Sequence, residues 1–449
     1  SFNVSENAML EDLIKKMPGM EVAEDGTVTL NGEKIDKITV GGKTFFFNDP
    51  TAALKNLPAK IVEKIKVIDR TKDEAGGSGI VTEDDKEKVM DVELKDEYTE
   101  GWYGNAKLGV GSTLTPDTGN SLIDERGLLY NGNAMVTGYT EKDQIIFIGN
   151  AYNAIEPGAE VGYFISGDGV SDFSSLGGLN SSAQAGVNYN TSRIRGMEST
   201  LNVNYKNNGK VDRKVSSRTT LLPDSPDVIT DGTFDASGSQ NSVSASMEIK
   251  AKENDDYYLY IMPSVGYSTE RVSSLNSSVT GSEGMEMNTS KGSTTASAQG
   301  LNASGGVYFG FNELGKKHRT LSFGGEYTYY GADKNSHESS IINAAGMTTG
   351  KDLFYNTDIN NTSAGARLSY SEPLGGKWIA EVSFVSRFYL NRNFRNAANP
   401  DGTYNDYYSS FSNNRYFSER GALTVQYGND TTTVQFGVIA DAVQNEVWS

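Results

Sequence analysis

"TLSFGGEYTYY", Thr320 to Tyr330, alternates without a break. Leu321, Phe323, Tyr327 and Tyr329 fall on one side, and Ser322, Gly324, Glu326 and Thr328 on the other. Successive side chains of a strand point to opposite faces. A period of two therefore marks a strand with one apolar and one polar face. The same period returns at Trp102–Val110, Tyr257–Tyr267, Ala366–Tyr370, Trp378–Phe388 and Val434–Ala440. From about Gly101 onward the chain reads as one strand after another.

Alternation alone also fits a soluble antiparallel sandwich or a solenoid with one dry face. Two features favour a barrel in a membrane. Aromatic residues gather towards strand ends, at Trp102, Tyr139, Tyr257, Tyr329, Tyr330, Trp378 and Tyr427. Membrane barrels carry aromatic girdles there, at the two lipid-water interfaces. The connections also alternate in length. Short polar ones are TEKDQ (140–144), SRIRG (192–196), KENDD (252–256), NELGKKH (312–318), EPLGGK (372–377) and GNDT (428–431). Between them, long Ser/Asn/Gly/Asp-rich loops are expected over 156–182, 207–239, 270–291, 331–361 and 391–415. Tight turns at one end and long loops at the other are the rhythm of an up-and-down barrel.

About thirteen strands can be placed, each long enough for a tilted crossing of ~9–11 residues. On that count the last, from Thr431 to about Val447, runs outward and cannot close a barrel. The expected organisation is a small domain at 1–97 and, over 98–449, the N-terminal part of a barrel whose C-terminal strands are missing.

Composition narrows the function. The 449 residues carry a net charge of −18. No basic face is available to displace counterions from phosphates, which argues against a nucleic-acid partner. The longest apolar runs fall short of 18 residues, so no transmembrane helix is expected. There are no cysteines and two histidines, His318 and His337. That removes thiolate chemistry and leaves almost no room for a triad base or a His-rich metal site. His318 reads as an interfacial turn residue. The acidic stretch PDSPDVITDGTFD (223–235) lacks the EF-hand pattern and reads as a solvated loop.

The first 97 residues read differently. Met9, Leu10, Leu13, Ile14 and Met17 fall at helical spacing, with Ser5 or Asn7 as N-cap and Pro18-Gly19 as the stop. Asn31-Gly32 marks a tight turn between short strands. A strand is expected from Ile65 to Ile68, and EKVMDVELK (87–95) as the last one, with Met90, Val92 and Leu94 on one side. The loop AGGSGI (75–80) lacks the Lys-Ser/Thr ending of a phosphate-binding loop. The result is a small α/β domain without a catalytic constellation.

These motifs resemble the plug of TonB-dependent outer-membrane receptors and transporters. LIKKMPGMEV (13–22) is similar to the family's helix with a Leu-Pro-Gly-Val-like break. ITVGGKTF (38–45) is similar to its Val-Asp-Gly strand, with Gly41 where Asp is usual. NLPAKIVEKIKVIDR (56–70) and the Gly-rich turn before EKVMDVELK complete the match. The spelling of 41–69 resembles the branch with an outer-membrane-protein β-barrel and, often, a carboxypeptidase-regulatory-like domain ahead of the plug. The resemblance implies a mainly β fold, a transmembrane antiparallel barrel with the α/β plug in its lumen. It also implies a location in the bacterial outer membrane and no enzymatic activity. It answers why the two parts are fused, since a wide barrel leaves an open pore unless something fills it. The plug is expected to meet a polar inner wall through hydrogen bonds, charge pairs and water.

Candidate residues follow. Phe45, Phe46, Phe47, Asn48 and Asp49 are the substrate-contact candidates, an apolar apex with one acid; Phe45 and Phe47 could equally pack in the plug core. Arg70 is a candidate lock to wall carboxylates such as Glu326 or Glu381. Lys107, Glu326, Arg367, Glu381 and Arg387 are expected to face the lumen. Leu108, Val265, Phe323, Val382 and Phe436 are expected to face lipid. No metal and no cofactor is expected. The implied partners are outer-membrane lipid, a TonB-type energy-coupling protein, a surface lipoprotein, and a small-molecule, glycan or peptide substrate. The leading expectation is nutrient import. The alternatives are a structural or secretion-associated barrel with a fixed plug, and a soluble adhesin-like β-protein. A TonB-contact segment, which would precede Ser1, separates the first two.

Overall fold

The structure, a computed structural model, describes residues 5, 8–23, 27–44, 53–54, 57–73, 80, 85–98, 100–112, 128–153, 179–223, 225–251, 256–428 and 433–448.

The N-terminal part contains a short helix α1 (Leu10–Ile14), a hairpin β1 (Met20–Val22) and β2 (Val28–Leu30), and β3 (Glu33–Lys34). A second sheet contains β4 (Lys37–Val40), β5 (Lys43–Thr44), β6 (Val62–Thr71) and β7 (Lys86–Leu94), in the order β5-β4-β7-β6. The helix is shorter than its apolar spacing suggests, and Met9 is its N-cap rather than Ser5 or Asn7. Met9 N donates to Asp12 Oδ2 at 3.0 Å, so the third residue of the helix caps it from within. Gly19, at φ +77°, carries the chain out of the helical turn. Asn31 and Gly32 both have positive φ, as a two-residue hairpin turn of this kind requires. Met90, Val92 and Leu94 are buried, and Val89 of the opposite parity is buried too.

The wall is one antiparallel sheet in chain order. Its strands are β8 (Gly101–Ser112), β9 (Leu128–Tyr139), β10 (Asp143–Tyr152), β11 (Leu179–Thr191), β12 (Met197–Thr220), β13 (Val228–Ala251) and β14 (Tyr257–Ile261). They continue with β15 (Ser264–Ser282), β16 (Met285–Phe311), β17 (Thr320–Ala344), β18 (Met347–Gly375), β19 (Trp378–Ala398), β20 (Ser410–Gly428) and β21 (Thr433–Trp448). Strands β14 and β15 hold one register against both β13 and β16, interrupted where Pro263 lacks an N–H. The fourteen strands are therefore thirteen staves, as the alternation suggests.

Register fixes the faces. Leu108, Val265, Phe323, Val382 and Phe436 are all exposed on the outer side. The inner side carries buried Gln144, Asn188, Asn202, Asn204, Lys206, Ser322, Ser369 and Glu381. A sheet with its apolar side out and its polar side in has the pattern of a barrel spanning lipid, not of a soluble sandwich. Trp102, Tyr257, Tyr329, Trp378 and Tyr427 lie on the apolar side. Tyr139 and Tyr330 do not. Tyr139 stacks on Tyr103, ring centroids 5.9 Å apart, beside the plug core. Tyr330 packs inward against Ala298, Ala332 and Ile359. Both end a run one residue past an outward position, so a one-residue step turns them inward.

The short connections lie together at one end. At the other end three expected long loops are not loops. Strands β12, β13, β16, β17 and β18 run through 24, 24, 27, 25 and 29 residues. Two of the hairpins close on Glu283-Gly284 and Ala345-Gly346, all four residues at positive φ. The acidic stretch at 223–235 likewise enters β13 at Val228. A strand of 29 residues measures ~95 Å at a rise of ~3.3 Å per residue, far more than a bilayer crossing needs. Above the lipid no face has to be apolar, so these ribbons carry the Ser/Thr/Asn/Gly composition of loops. In β17 the change is abrupt: Leu321, Phe323, Tyr327 and Tyr329 give way on the same face to Asp333, Asn335 and His337.

Candidate functional site

The N-terminal domain rests against the inner side of the wall, and the contact has two chemistries. Across β10 to β13 the wall presents a ladder of buried amides and hydroxyls. Gln184 Nε2 donates to Asn204 Oδ1 at 2.9 Å and Asn188 Nδ2 to Asn202 Oδ1 at 2.7 Å. Asn190 Nδ2 donates to Asn188 Oδ1 at 2.8 Å, and Asn202 Nδ2 to Ser246 Oγ at 3.3 Å. Buried amides keep their cost low by bonding to one another. Beside this ladder, Met135 of β9 and Ile146 and Ile148 of β10 are buried in the same cluster as Leu10, Ile14, Val28, Ile38 and Val92 of the N-terminal domain. This part of the contact is a dry seam, where the polar pattern suggests only hydrogen bonds and water. The signal is present in "IIFI" (145–148), four consecutive apolar residues, which make this strand apolar on both faces: Ile146 and Ile148 are buried inward, while Phe147 is exposed on the outer side.

The candidate lock is differently wired. Arg70 Nε donates to Glu87 Oε1 at 2.8 Å, and its guanidinium lies 3.5 Å from Asp73. Both of these partners belong to the N-terminal domain; the wall carboxylate that acts on Arg70 is Glu248, through its charge, and neither Glu326 nor Glu381 is among its described partners. Burial works against its charge, but Asp73 and Glu87, and after them Glu248 of the wall strand β13, outweigh it and raise its pKa further. Glu87 is buried and also pairs with Lys37 at 3.0 Å. Glu381 does join the two parts: Ile80 N donates to its Oε2 at 3.2 Å. Glu326 sits over Gly365, where a side chain would collide with its carboxylate. It lines a gap of about 270 Å3 between the N-terminal domain and the wall, with Lys72, Asp85, Arg367 and Arg387. Lys107 faces inward by register. Phe45, Phe46, Phe47, Asn48 and Asp49 lie outside the described residues.

Above the lipid band a larger cavity of about 890 Å3 opens on the inner side of the wall. It centres on one row across six strands: Gly238, Val272, Ala296, Ser336, Tyr355 and Ala397. The row is made of small side chains except at Tyr355, so the concave wall leaves room. Tyr355 is buried and held rigidly. The Arg395 guanidinium stacks 4.0 Å from its ring centroid, and Lys351 Nζ lies 5.2 Å away. Glu338 ties both cations, at 2.7 Å from Lys351 and 3.7 Å from Arg395. Burial lowers the Lys351 pKa, but bonds to Glu338 and Tyr355 outweigh it and raise it.

The segment 399–409 folds back to form the rim. Asn405 N donates to Ala397 O at 2.8 Å, and Ala397 N donates to Ser409 Oγ at 2.9 Å. The fold-back leaves Tyr404 exposed at the edge of the cavity, and Tyr407 and Tyr408 exposed on the same segment. A concave, mainly apolar space of this size with a few placed polar groups suits a small-molecule ligand. The spelling of 331–361 hides it, because its floor residues are distant in sequence. Among the described residues no group of three His, Asp or Glu converges as a metal site.

No family model and no curated protein matches this chain. Among solved structures it is similar to the siderophore receptor PirA from Pseudomonas aeruginosa, at 10% identity over 98% of this chain and 96% of that one, with a TM-score of 0.22. It is similar to the siderophore receptor PirA from Acinetobacter baumannii, at 8% identity over 97% and 89%, TM-score 0.28. It is also similar to the ferric citrate transporter FecA, at 10% identity over 96% and 81%, TM-score 0.23. At such scores the fold is read from this chain's own register and the chemistry of its two faces. On those grounds the chain forms a wall of the outer-membrane β-barrel kind, apolar side outward, with a small N-terminal α/β domain against its inner side.

Proposed function

We propose that this protein is an outer-membrane receptor that takes up a nutrient through a plugged barrel. Residues 1–97 act as the plug and 98–449 as the wall. The observation that carries the proposal is the cavity around Tyr355, above the lipid band and open to the lumen. A ligand held there would lie on the outer side of the plug, where capture precedes passage. Its size and lining fit a compact small molecule with a substantial apolar part. The segment Phe45–Asp49 is the proposed contact from the plug. Passage then requires the plug to shift, with energy supplied through a TonB-type partner, and a surface lipoprotein is a proposed helper in capture.

The dry seam at Met135, Ile146 and Ile148 favours a second reading, a barrel with a permanently seated plug and a structural role. One experiment separates the two. A deletion strain is grown on a panel of limiting nutrients and complemented with the wild type or with Ala296→Trp, which fills the cavity. Import predicts that the wild type restores growth on one nutrient and that Ala296→Trp, at equal surface abundance, does not. Equal growth of both on every nutrient favours the structural barrel.

A further inference from the structure

At the short-turn end the wall carries a patch whose charge differs from that of the whole chain. The connections 312–319 and 372–377 lie side by side there, because β17 pairs with β18. They are fastened to each other. Arg319 donates to both carboxylate oxygens of Glu372. Lys316 Nζ donates to Pro373 O at 2.9 Å and lies 3.5 Å from Glu372. The two connections hold four cations, Lys316, Lys317, Arg319 and Lys377, against two acids, Glu313 and Glu372. Two positive charges are left over on a chain whose net charge is −18. Among the described residues neither Lys317 nor Lys377 forms an ion pair. Leu314 and Leu374 are exposed among these charges, Leu374 at 61%. Trp378 follows Lys377 on the apolar outer side and packs on Tyr427, ring centroids 4.9 Å apart. The patch thus continues the lipid-facing band.

An exposed leucine on a turn gains free energy only where it leaves water. A lysine stem can lie along an apolar layer while its ammonium stays level with the phosphates. Apolar tips, unpaired ammonium groups and an aromatic pair at the strand start together match a headgroup layer of negative charge. We propose that this patch is a binding site for anionic phospholipid. Leu314 and Leu374 enter the boundary between headgroups and acyl chains, and Lys317 and Lys377 receive the phosphate. The site goes beyond the import reading and does not depend on it. It needs only a wall that lies in lipid.

The chain has three tryptophans, Trp102, Trp378 and Trp448. Trp102→Phe with Trp448→Phe leaves Trp378 as the sole reporter at the patch. The full chain is reconstituted into phosphatidylcholine vesicles that hold a minor fraction of acyl-brominated phosphatidylglycerol or, in parallel, of brominated phosphatidylcholine. Bromine quenches an indole only at contact, so the two lipids compare local concentrations. The expected result is an enrichment of the anionic lipid at Trp378 on the order of tenfold, from two unpaired lysines. It should fall towards unity with Lys317→Gln and Lys377→Gln together. High salt, which screens the charges, should do the same without any lysine change. Trp102, kept alone by Trp378→Phe with Trp448→Phe, is the control. It lies on β8 two residues after Glu100 and pairs with Gly138, ahead of the turn that holds Glu141 and Lys142. Both brominated lipids should quench it equally.

Equal quenching at Trp378, an enrichment that survives both lysine changes, or the same enrichment at Trp102 overturns the site. If the double lysine variant does not insert, an enrichment that persists in high salt overturns it instead. No nutrient takes part in this measurement, so its failure is distinct from a failure of the growth experiment.

Discussion

Ile80 N and Glu381 Oε2, 301 residues apart in sequence, meet at 3.2 Å where the plug touches β19. A carboxylate accepting a backbone N–H in a buried place is a charge-assisted bond, and losing it costs ~1–3 kcal/mol. Glu381→Ala should therefore loosen the plug at this point. Hydrogen exchange should speed up near Ile80 by about tenfold or more, with the amides of β17 and β18 unchanged. Glu381→Gln keeps an acceptor and should show a smaller effect.

The seam should matter more than that bridge. Ile146→Ala or Ile148→Ala removes apolar contacts from a fully packed cluster and should destabilise by ~2–5 kcal/mol. The measurable sign is a lower unfolding midpoint for the plug, by exchange or proteolysis, ahead of any change in the wall. Equal midpoints for the variants and the wild type would contradict a dry seam.

Val382 lies on the outer side within the apolar band, and Val385 on the inner side. Val382→Arg should destabilise the folded wall in bilayers by ~2–4 kcal/mol if it lies near the midplane. Val385→Arg should cost less than Val382→Arg: it sets a like charge opposite Arg367, worth up to ~1 kcal/mol, but leaves that charge on the polar side. Comparing the two in folding titrations checks the face assignment with one residue type.

Acid should loosen two of the short turns. Arg319 Nε and Nη2 donate to the two carboxylate oxygens of Glu372 at 2.7 and 2.8 Å, and Tyr370 donates its hydroxyl at 2.6 Å. The Arg319 bonds, then that of Tyr370, hold the Glu372 pKa down to about 2, from an ordinary value of 4.5. A depressed carboxylate pKa contributes stability above the unfolded value and loses it as pH falls through the folded one. Order at this turn should thus decline between about pH 4.5 and 2. Asp143, held well below the usual carboxylate range chiefly by Arg193, should behave alike at its turn. Glu372→Gln should remove the dependence at its own turn and leave that at Asp143, which exchange measured against pH would reveal.

Much of the wall is legible in the sequence. Lipid demands an apolar outer side on every stave, so the requirement is written locally, two residues at a time, as in Leu321–Tyr329. The plug's turns are legible for a similar reason: Pro18-Gly19 and Asn31-Gly32 constrain their own backbone. The strand extensions are not legible, because outside lipid neither face has to be apolar. The hairpins at Glu283-Gly284 and Ala345-Gly346 lie inside stretches with loop composition.

The sequence by itself determined which side of each stave meets lipid and that a compact α/β unit precedes the wall. Both follow from local pattern, and neither needs to know which strand lies beside which. Tertiary structure decided the partners. Arg70 pairs with Glu87 because antiparallel pairing of β6 and β7 puts the two residues opposite each other. Glu381 meets Ile80, and Ile146 meets the plug core, because the curved wall brings its inner side to the plug. The cavity at Tyr355 exists because small residues on five other strands share its row. Such coincidences depend on register and curvature summed over the whole sheet, and no local stretch of the chain encodes them.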